Sequence, residues 1–359
     1  MDFASDNGSG AAPGILDAVV AASAGAAPAY GADPFTLRAE AALSAIFERP
    51  VASFLVATGT AANALALGAV TPPWSAVFCH EESHIHDDEC GAPELSTGGA
   101  KLVGVAGEGG KMTPEALRET LTRFPRGLVK SVQPGALSLS QATEAGTVYS
   151  IDEIAALSTI AHGAGLAVHM DGARFANALA QLGCSPAQMS WRAGVDVLSF
   201  GATKNGALGC EAVVFFNPEQ AASFAFQRKR GGHTLSKGRF LGAQMAAYLE
   251  EGLWLSLARR ANAAAARLAD GLAAIPGVRL AWPRQANEIF PIVPGAIVAP
   301  LQAAGARFYV WSSRAVSPAA AVRDGEAFLR LVCSFATEDA EIERFLALVA
   351  EHCRSCPAR

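Results

Sequence analysis

Leu166-Ala167-Val168-His169-Met170-Asp171-Gly172-Ala173-Arg174 is the stretch on which the fold turns. Leu166–Met170 is short and mostly apolar, which suits a strand buried on both faces. It stops at a carboxylate, Asp171. Downstream, Val195–Phe200 repeats the pattern and runs into Gly201-Ala202-Thr203-Lys204-Asn205-Gly206, with Glu211–Phe216 as a neighbouring strand. Upstream, Val51–Ala57 reads as a strand, Thr58-Gly59-Thr60 as a glycine turn and Ala61–Val70 as a helix. Ser75–Cys79, Leu128–Val132 and Leu137–Leu139 read as extended. Thr113-Pro114-Glu115 starts a helix with a Thr cap and Pro at the first position. Ser150-x-x-Glu153 is a capping box, and its helix runs to Gly163. Strands alternating with helices predict an α/β fold on a large, mixed, mostly parallel sheet.

After about residue 240 the texture changes. Leu241–Ile275 is one long Ala-rich helical stretch that ends at Pro276-Gly277. Short strands, Pro-rich turns, Leu329–Ser334 and a terminal helix near Ala340–His352 follow. The expected division is a large domain over 1–245 and a small α+β domain over 246–359. No internal repeat or low-complexity linker interrupts the chain.

Composition narrows the function. Hydrophobic residues make up 51% of the 359 and charged residues 17%, enough apolar material for a sizeable core and too little charge for disorder. The net charge of −5 carries no basic stripe, which argues against a nucleic-acid partner. Met1–Asp6 lacks the basic start and apolar stretch of a signal peptide, and no apolar run suits a membrane span. Seven cysteines, odd in number and scattered, point to a reducing cytoplasm. Cys353-x-x-Cys356 has redox or zinc spacing but sits on a polar tail with no second pair. The low charge fraction suggests that some surface is buried between subunits.

Four constellations could carry chemistry. His80-Glu81-Glu82-Ser83-His84 matches the H-E-x-x-H zinc pattern, which works only when one helix face presents both imidazoles. Here it follows a strand directly, and Ser83 is the natural helix cap. Thr58-Gly59-Thr60-Ala61-Ala62-Asn63 places free N–H groups at a helix start and could cradle a phosphate; it could also be an ordinary turn. Asp171 could hold a cationic ring nitrogen, or merely cap a helix, and Arg174 could hold an anion. Lys204, among glycines after an apolar strand, could be a carbonyl nucleophile or a lysine reaching out from a loop. The last three, each after a strand, are what a pyridoxal-phosphate site needs: a turn for the phosphate, Asp171 for the ring nitrogen, Lys204 for the aldehyde.

At these residues the sequence resembles the pyridoxal-phosphate-dependent threonine aldolases of fold type I, through nearly its whole length. Ser5-Asp6-Asn7 is similar to that family's Ser-Asp-Thr opening, Tyr30-Gly31-Ala32-Asp33-Pro34 to its Tyr-Gly-x-Asp-Pro, and the turn at Thr58 to its phosphate turn. Asp171-Gly172-Ala173-Arg174 matches its Asp-Gly-Ala-Arg signature unchanged. His84 with Glu89-Cys90-Gly91 falls on the ring-stacking His and Glu-Ala-Gly. Thr203-Lys204 falls on the Schiff-base position, Arg228-Lys229 with Gly231-Gly232 on a later phosphate segment, and Leu329-Arg330-Leu331-Val332 on the strand whose Arg binds the substrate carboxylate.

The resemblance implies retro-aldol cleavage of L-threonine, L-allo-threonine and other β-hydroxy-α-amino acids to glycine and an aldehyde. Lys204, His84 and Asp171 would be catalytic. Gly59, Thr60, His84, Asp171, Arg174 and Lys204 would hold the cofactor. Lys229 or Lys237 would reach it from a neighbouring copy, since sites in that family lie at subunit interfaces of a homodimer or homotetramer. Ser5, Tyr30, His86, Asp88, Glu144, Arg174 and Arg330 would meet substrate, and no catalytic metal is implied. Two positions depart from the family. Its Glu-Asn-Thr-His-Asn stretch is Ser140–Gly146 here, with no His, and Asp88 stands where the family has an aromatic residue. A solvated Glu144 is a weak base at neutral pH, so the His84 loop is expected to take on the β-hydroxyl proton. Rival readings are transamination or β-elimination on the same anchors, a zinc peptidase at His80 and His84, and a cofactor-binding module without turnover.

Overall fold

Val197, Leu198 and Phe200 have no exposed surface, because their strand lies inside a seven-stranded sheet. The computed structural model describes residues 1–355. The sheet comprises β1 (Ala52–Val56), β2 (Ser75–His80), β3 (Lys101–Val105), β4 (Gln133–Ser140), β5 (Ala167–Gly172), β6 (Val197–Gly201) and β7 (Glu211–Phe215), in the order β1-β7-β6-β5-β4-β2-β3. Only β7 runs against the others; it pairs antiparallel with β1 and β6, and the remaining pairs are parallel. The C-terminal ends of β1, β2, β4, β5 and β6 and the start of β7 therefore meet at one edge, where open α/β sheets bind ligands.

Apolar layers cover both faces. On one, the helix Gly59–Val70 seats Ala61, Ala62, Leu65 and Ala66 against Val197, Val213 and Phe215. On the other, Phe47 is ringed by Phe175, Phe200 and Phe216, with centroids 5.1 to 6.1 Å apart, in the range of offset and edge-on aromatic packing. Within the sheet, His169 bridges Ser138 and Ser199 at 2.9 and 3.0 Å, and burial lowers its pKa to about 4.

A second, five-stranded antiparallel sheet holds β8 (Arg279–Leu280), β10 (Pro291–Pro294), β11 (Tyr309–Val310) and β12 (Glu326–Val332), with β9 (Glu288–Ile289) also on β12. The helices Leu253–Ala273 and Asp339–Arg354 pack with it. Phe3 belongs to this core: its N–H donates to Arg307 O at 2.9 Å and its carbonyl accepts from the Val332 N–H at 2.8 Å. That tie puts Ser5 and Asp6 beside the large sheet's edge.

Two sequence expectations change. Leu128–Val132 is a turn, because the Gln133 side chain bonds Gly127 N, Leu128 O and Ser131 O and folds the stretch up; the strand starts at Gln133. The stretch 241–275 is two helices, Arg239–Leu249 and Leu253–Ala273, broken where Glu251 and Gly252 take φ of 48° and 73°. Residue 245 lies inside the first helix. The change of core comes along the second, with Ala258 on the large core and Ala264 on the small one. Cys356 of Cys353-x-x-Cys356 lies outside the described residues. No helix among the described residues is long and apolar enough to cross a membrane.

Candidate active site

The edge of the large sheet carries an inner cavity of about 320 Å³, lined by Thr58, Gly59, Thr60, Asn63, Asp171 and Lys204 among others. Thr58 caps the helix Gly59–Val70, its side chain accepting from Ala61 N–H at 3.1 Å. The N–H groups of Gly59 and Thr60 then have no acceptor within their helix, and nothing lies within 4 Å of where a Gly59 Cβ would stand. Asp171 closes β5. Its Oδ1 accepts from Ala173 N–H at 2.9 Å and its Oδ2 from Asn63 Nδ2 at 2.8 Å. Lys204 follows β6, and among the described residues its ammonium makes no hydrogen bond or ion pair. The neighbouring Ala202 N–H is anchored on Glu211 Oε2 at 2.8 Å.

One side-chain chain joins these groups. Asn63 Nδ2 donates to Glu89 Oε1 as well as to Asp171, and His84 Nδ1 lies 2.9 Å from the same Glu89 oxygen. That bond to Glu89 raises the His84 pKa. Glu144 Oε1 accepts from the His84 N–H and from Ser140 Oγ, each at 2.8 Å, while its Oε2 is sealed from solvent with no hydrogen-bond partner. Burial, reinforced by the Asp171 charge, pushes Glu144 up to about 7. The expectation of a solvated, weakly basic Glu144 is thus corrected.

Two arginines stand at an adjoining outer cavity of about 560 Å³, together with Ser5, His84, Asp88, Glu144 and Lys204. Arg174 grips Asp6 through Nε and Nη2 at 2.7 and 2.9 Å, and its Nη1 lies 3.2 Å from Glu288 Oε2. Arg330 donates to Glu288 Oε1 from Nη2 at 2.6 Å, and its guanidinium lies 5.2 Å from the Trp311 ring centroid. Glu288 therefore fixes the two guanidinium groups side by side. Burial alone would raise the Asp6 pKa; the Arg174 guanidinium holds it below its ordinary value.

Some expected residues are not brought here. Tyr30, Lys229 and Lys237 line neither cavity; they are exposed elsewhere, with Lys229 Nζ 4.9 Å from the Tyr30 ring centroid. His86 is exposed, and its Nδ1 pairs with Asp87 at 2.9 Å. His80 ends β2 with Nε2 3.0 Å from Gly107 O, while His84 opens a four-residue helix, so one helix face does not present both imidazoles as the zinc reading requires. Among the described residues no group of three or more His, Cys, Asp or Glu is set to hold a metal. Sequence reasoning missed Asn63, Glu211 and Glu288. Asn63 closes the quoted Thr58–Asn63 motif and Glu211 opens the quoted strand Glu211–Phe216, but neither was given a role; nothing around Glu288 marks it.

A lysine, an aspartate and a helix start with two free N–H groups, at Gly59 and Thr60, converging on one cavity at this sheet edge fit pyridoxal phosphate: N–H donors for the phosphate, a carboxylate for the ring nitrogen, an unpaired amine for the aldehyde. Fold and site together define a pyridoxal-phosphate-dependent enzyme of fold type I. Residues 2–293 match the model of the Beta-eliminating lyase family. The chain is 42% identical over 351 residues to a low specificity L-threonine aldolase of Pseudomonas aeruginosa, covering 98% of this chain and 96% of the relative. It is 41% identical to another from a Pseudomonas species, covering 97% and 96%. The solved threonine aldolase of Leishmania major superposes with a TM-score of 0.90 at 29% identity, over 98% and 99% of the two chains. A Sphingomonas wittichii serine palmitoyltransferase shares the fold, with a TM-score of 0.71 at 16% identity over 99% and 87%. The chain belongs to the Beta-eliminating lyase family and, within it, to the threonine aldolases, carbon–carbon lyases.

Proposed function

We propose that this chain cleaves L-threonine, L-allo-threonine and related β-hydroxy-α-amino acids to glycine and an aldehyde. The observation that carries the reading is the convergence of Lys204, Asp171 and the Thr58–Thr60 turn on one cavity that opens beside Arg174 and Arg330. Pyridoxal phosphate, when bound, supplies the electron sink for the Cα–Cβ bonding pair. Lys204 offers the amine for its aldehyde, Asp171 the negative charge for its ring nitrogen, and Gly59 and Thr60 the N–H groups for its phosphate. His84 stands at both cavities as the ring-stacking side chain. Arg174 and Arg330, locked in place by Glu288 and with Ser5 beside them, take the substrate carboxylate. Fixing that end decides which Cα bond is aligned for cleavage.

The assembly is a homo-oligomer in the cytoplasm. Exposed Tyr30, Leu208, Phe226 and Leu235 support a second copy docking here, and it would bring Lys229 or Lys237 to the neighbouring site. The free thiols of Cys79, Cys90, Cys184, Cys210 and Cys333 support a reducing compartment. The test is to record the visible spectrum of the purified protein, then add L-threonine or L-allo-threonine and measure glycine and aldehyde. Keto acid or ammonia without glycine would point instead to transamination or β-elimination.

A further inference from the structure

Cleavage requires the β-hydroxyl to lose its proton as Cα–Cβ breaks. Two side chains at the junction of the cavities could receive it, His84 and Glu144. They differ in what already occupies them. The His84 ring nitrogen Nδ1 is committed to Glu89, and that bond favours the protonated imidazole, which has no lone pair left to accept a proton. Glu144 is the opposite case. One of its oxygens serves the His84 N–H and the Ser140 hydroxyl; the other is buried with no hydrogen-bond partner in the protein. A carboxylate stripped of half its solvation is a stronger base than one in water.

We infer that the carboxylate of Glu144 is the base that takes the β-hydroxyl proton, with the Ser140 hydroxyl and the His84 N–H holding it in place. The inference rests on the proposed aldolase reading. The O–H proton passes to Glu144 and the O–H electron pair becomes the carbonyl π bond of the aldehyde. Pyridoxal phosphate would supply the conjugated system that takes up the Cα–Cβ pair, and the proton that Cα gains as glycine forms balances the one that the hydroxyl gives to Glu144. The charged and titratable groups around Glu144 are Asp171, Arg174, Lys204, His84, Cys79 and Tyr149. Asp171 opposes ionisation; Arg174 and Lys204 favour it. A group poised to about 7 among them is matched to proton transfer near neutral pH.

The test compares wild type, Glu144→Gln and His84→Phe as holoenzymes on two reactions. One is cleavage of L-allo-threonine across pH; the other is exchange of the glycine α-hydrogen with deuterium oxide, which involves no hydroxyl. In Glu144→Gln, cleavage should fall about 100-fold or more and lose its rising limb near neutral pH, while exchange stays within about threefold. Glu144→Asp should restore part of the rate. His84→Phe should keep the rising limb. Cleavage by Glu144→Gln within about threefold of wild type, or equal loss of cleavage and exchange, would overturn the assignment. A second readout needs no turnover. The infrared difference spectrum between about pH 6 and pH 8 should contain carboxylic-acid intensity from both Glu144 and Glu211 in wild type, and Glu144→Gln should lose the Glu144 share while keeping that of Glu211; identical spectra would overturn the inference as well. Failure of the aldolase reading itself shows separately, as a wild type that releases no glycine from any β-hydroxy-α-amino acid.

Discussion

Arg174 is clamped by Asp6, 168 positions away in sequence, through two hydrogen bonds with both side chains buried. The pair joins the signature turn after β5 to a short N-terminal segment that is otherwise tied to the second sheet. Removing one member of a buried ion pair leaves the other charge undercompensated, at a cost of about 3 to 5 kcal/mol. Arg174 keeps Glu288 as a second partner, so Asp6→Asn should cost about 3 kcal/mol, toward the lower end of that range. Urea unfolding at neutral pH measures it. A loss well under 1 kcal/mol would mean that Glu288 alone compensates Arg174. The same variant should raise KM more than it lowers kcat, because it frees from its fixed position a guanidinium proposed to bind the substrate carboxylate.

Lys204 has no structural partner whose loss would unfold the loop, so Lys204→Ala should fold with an unchanged unfolding midpoint and no turnover. Borohydride reduction of wild type followed by peptide mass mapping should place the cofactor's mass on the peptide that carries Lys204. Finding the mass on another lysine, or turnover by the variant, would remove Lys204 from its role.

Asp171→Asn keeps the shape and one acceptor while removing the charge. The Asn63 amide then faces a second amide, and the ring nitrogen loses its counter-charge. Cofactor should still bind, and kcat at saturating cofactor should fall by about two orders of magnitude, the scale of a lost charge interaction at a reacting centre. A wild-type kcat in this variant would show that the ring nitrogen is held elsewhere.

The sheet and its ligand edge were legible because each strand is a short apolar run stopped by a turn or a carboxylate, and that signal is local. Lys204, Asp171 and the Thr58 turn were legible for the same reason: each closes such a run. What escaped was set by distance in sequence. Glu288 joins Arg174 and Arg330 only after the second sheet folds, and no local pattern marks it. Asp6 entered as part of a motif, yet its role as counter-ion needs the N-terminal segment seated on Arg307 and Val332 through Phe3. Glu144 was misjudged because a polar stretch between strands reads as solvated, whereas His84 and Ser140 fold over this one. The break at Glu251 was invisible because the helical pattern continues on both sides of it.

Phe226 is 78% exposed on the face that carries Tyr30 and Lys229. If a second copy covers this face, Phe226→Asp places an unpaired charge in an apolar contact and should shift the assembly toward monomer, with weakened cofactor retention as Lys229 or Lys237 is withdrawn. Light scattering after size-exclusion chromatography reads the mass, and the visible spectrum reads the cofactor. An unchanged mass would place the subunit contact on another surface.

Glu211 opens β7 at the site edge, where its carboxyl holds the Ala202 N–H two positions before Lys204. Burial raises its pKa to about 7, against the pull of Thr203, Ala202 and Lys204. A folded-state pKa above the unfolded value means that the folded protein binds the extra proton. Stability from this group is therefore fully present below about pH 4.5 and lost as pH rises through about 7. Glu144 titrates in the same window, so the wild-type profile alone does not isolate Glu211. The comparison with Glu211→Gln does, since glutamine keeps an acceptor for the Ala202 N–H and cannot ionise. Between about pH 6 and pH 8, wild type should lose about 1 kcal/mol more unfolding free energy than Glu211→Gln, measured by urea unfolding. Equal losses would mean that Glu211 is ionised across the whole range, with Lys204 as its counter-charge, and the variant should then also change how readily the Lys204 amine takes up the cofactor's aldehyde.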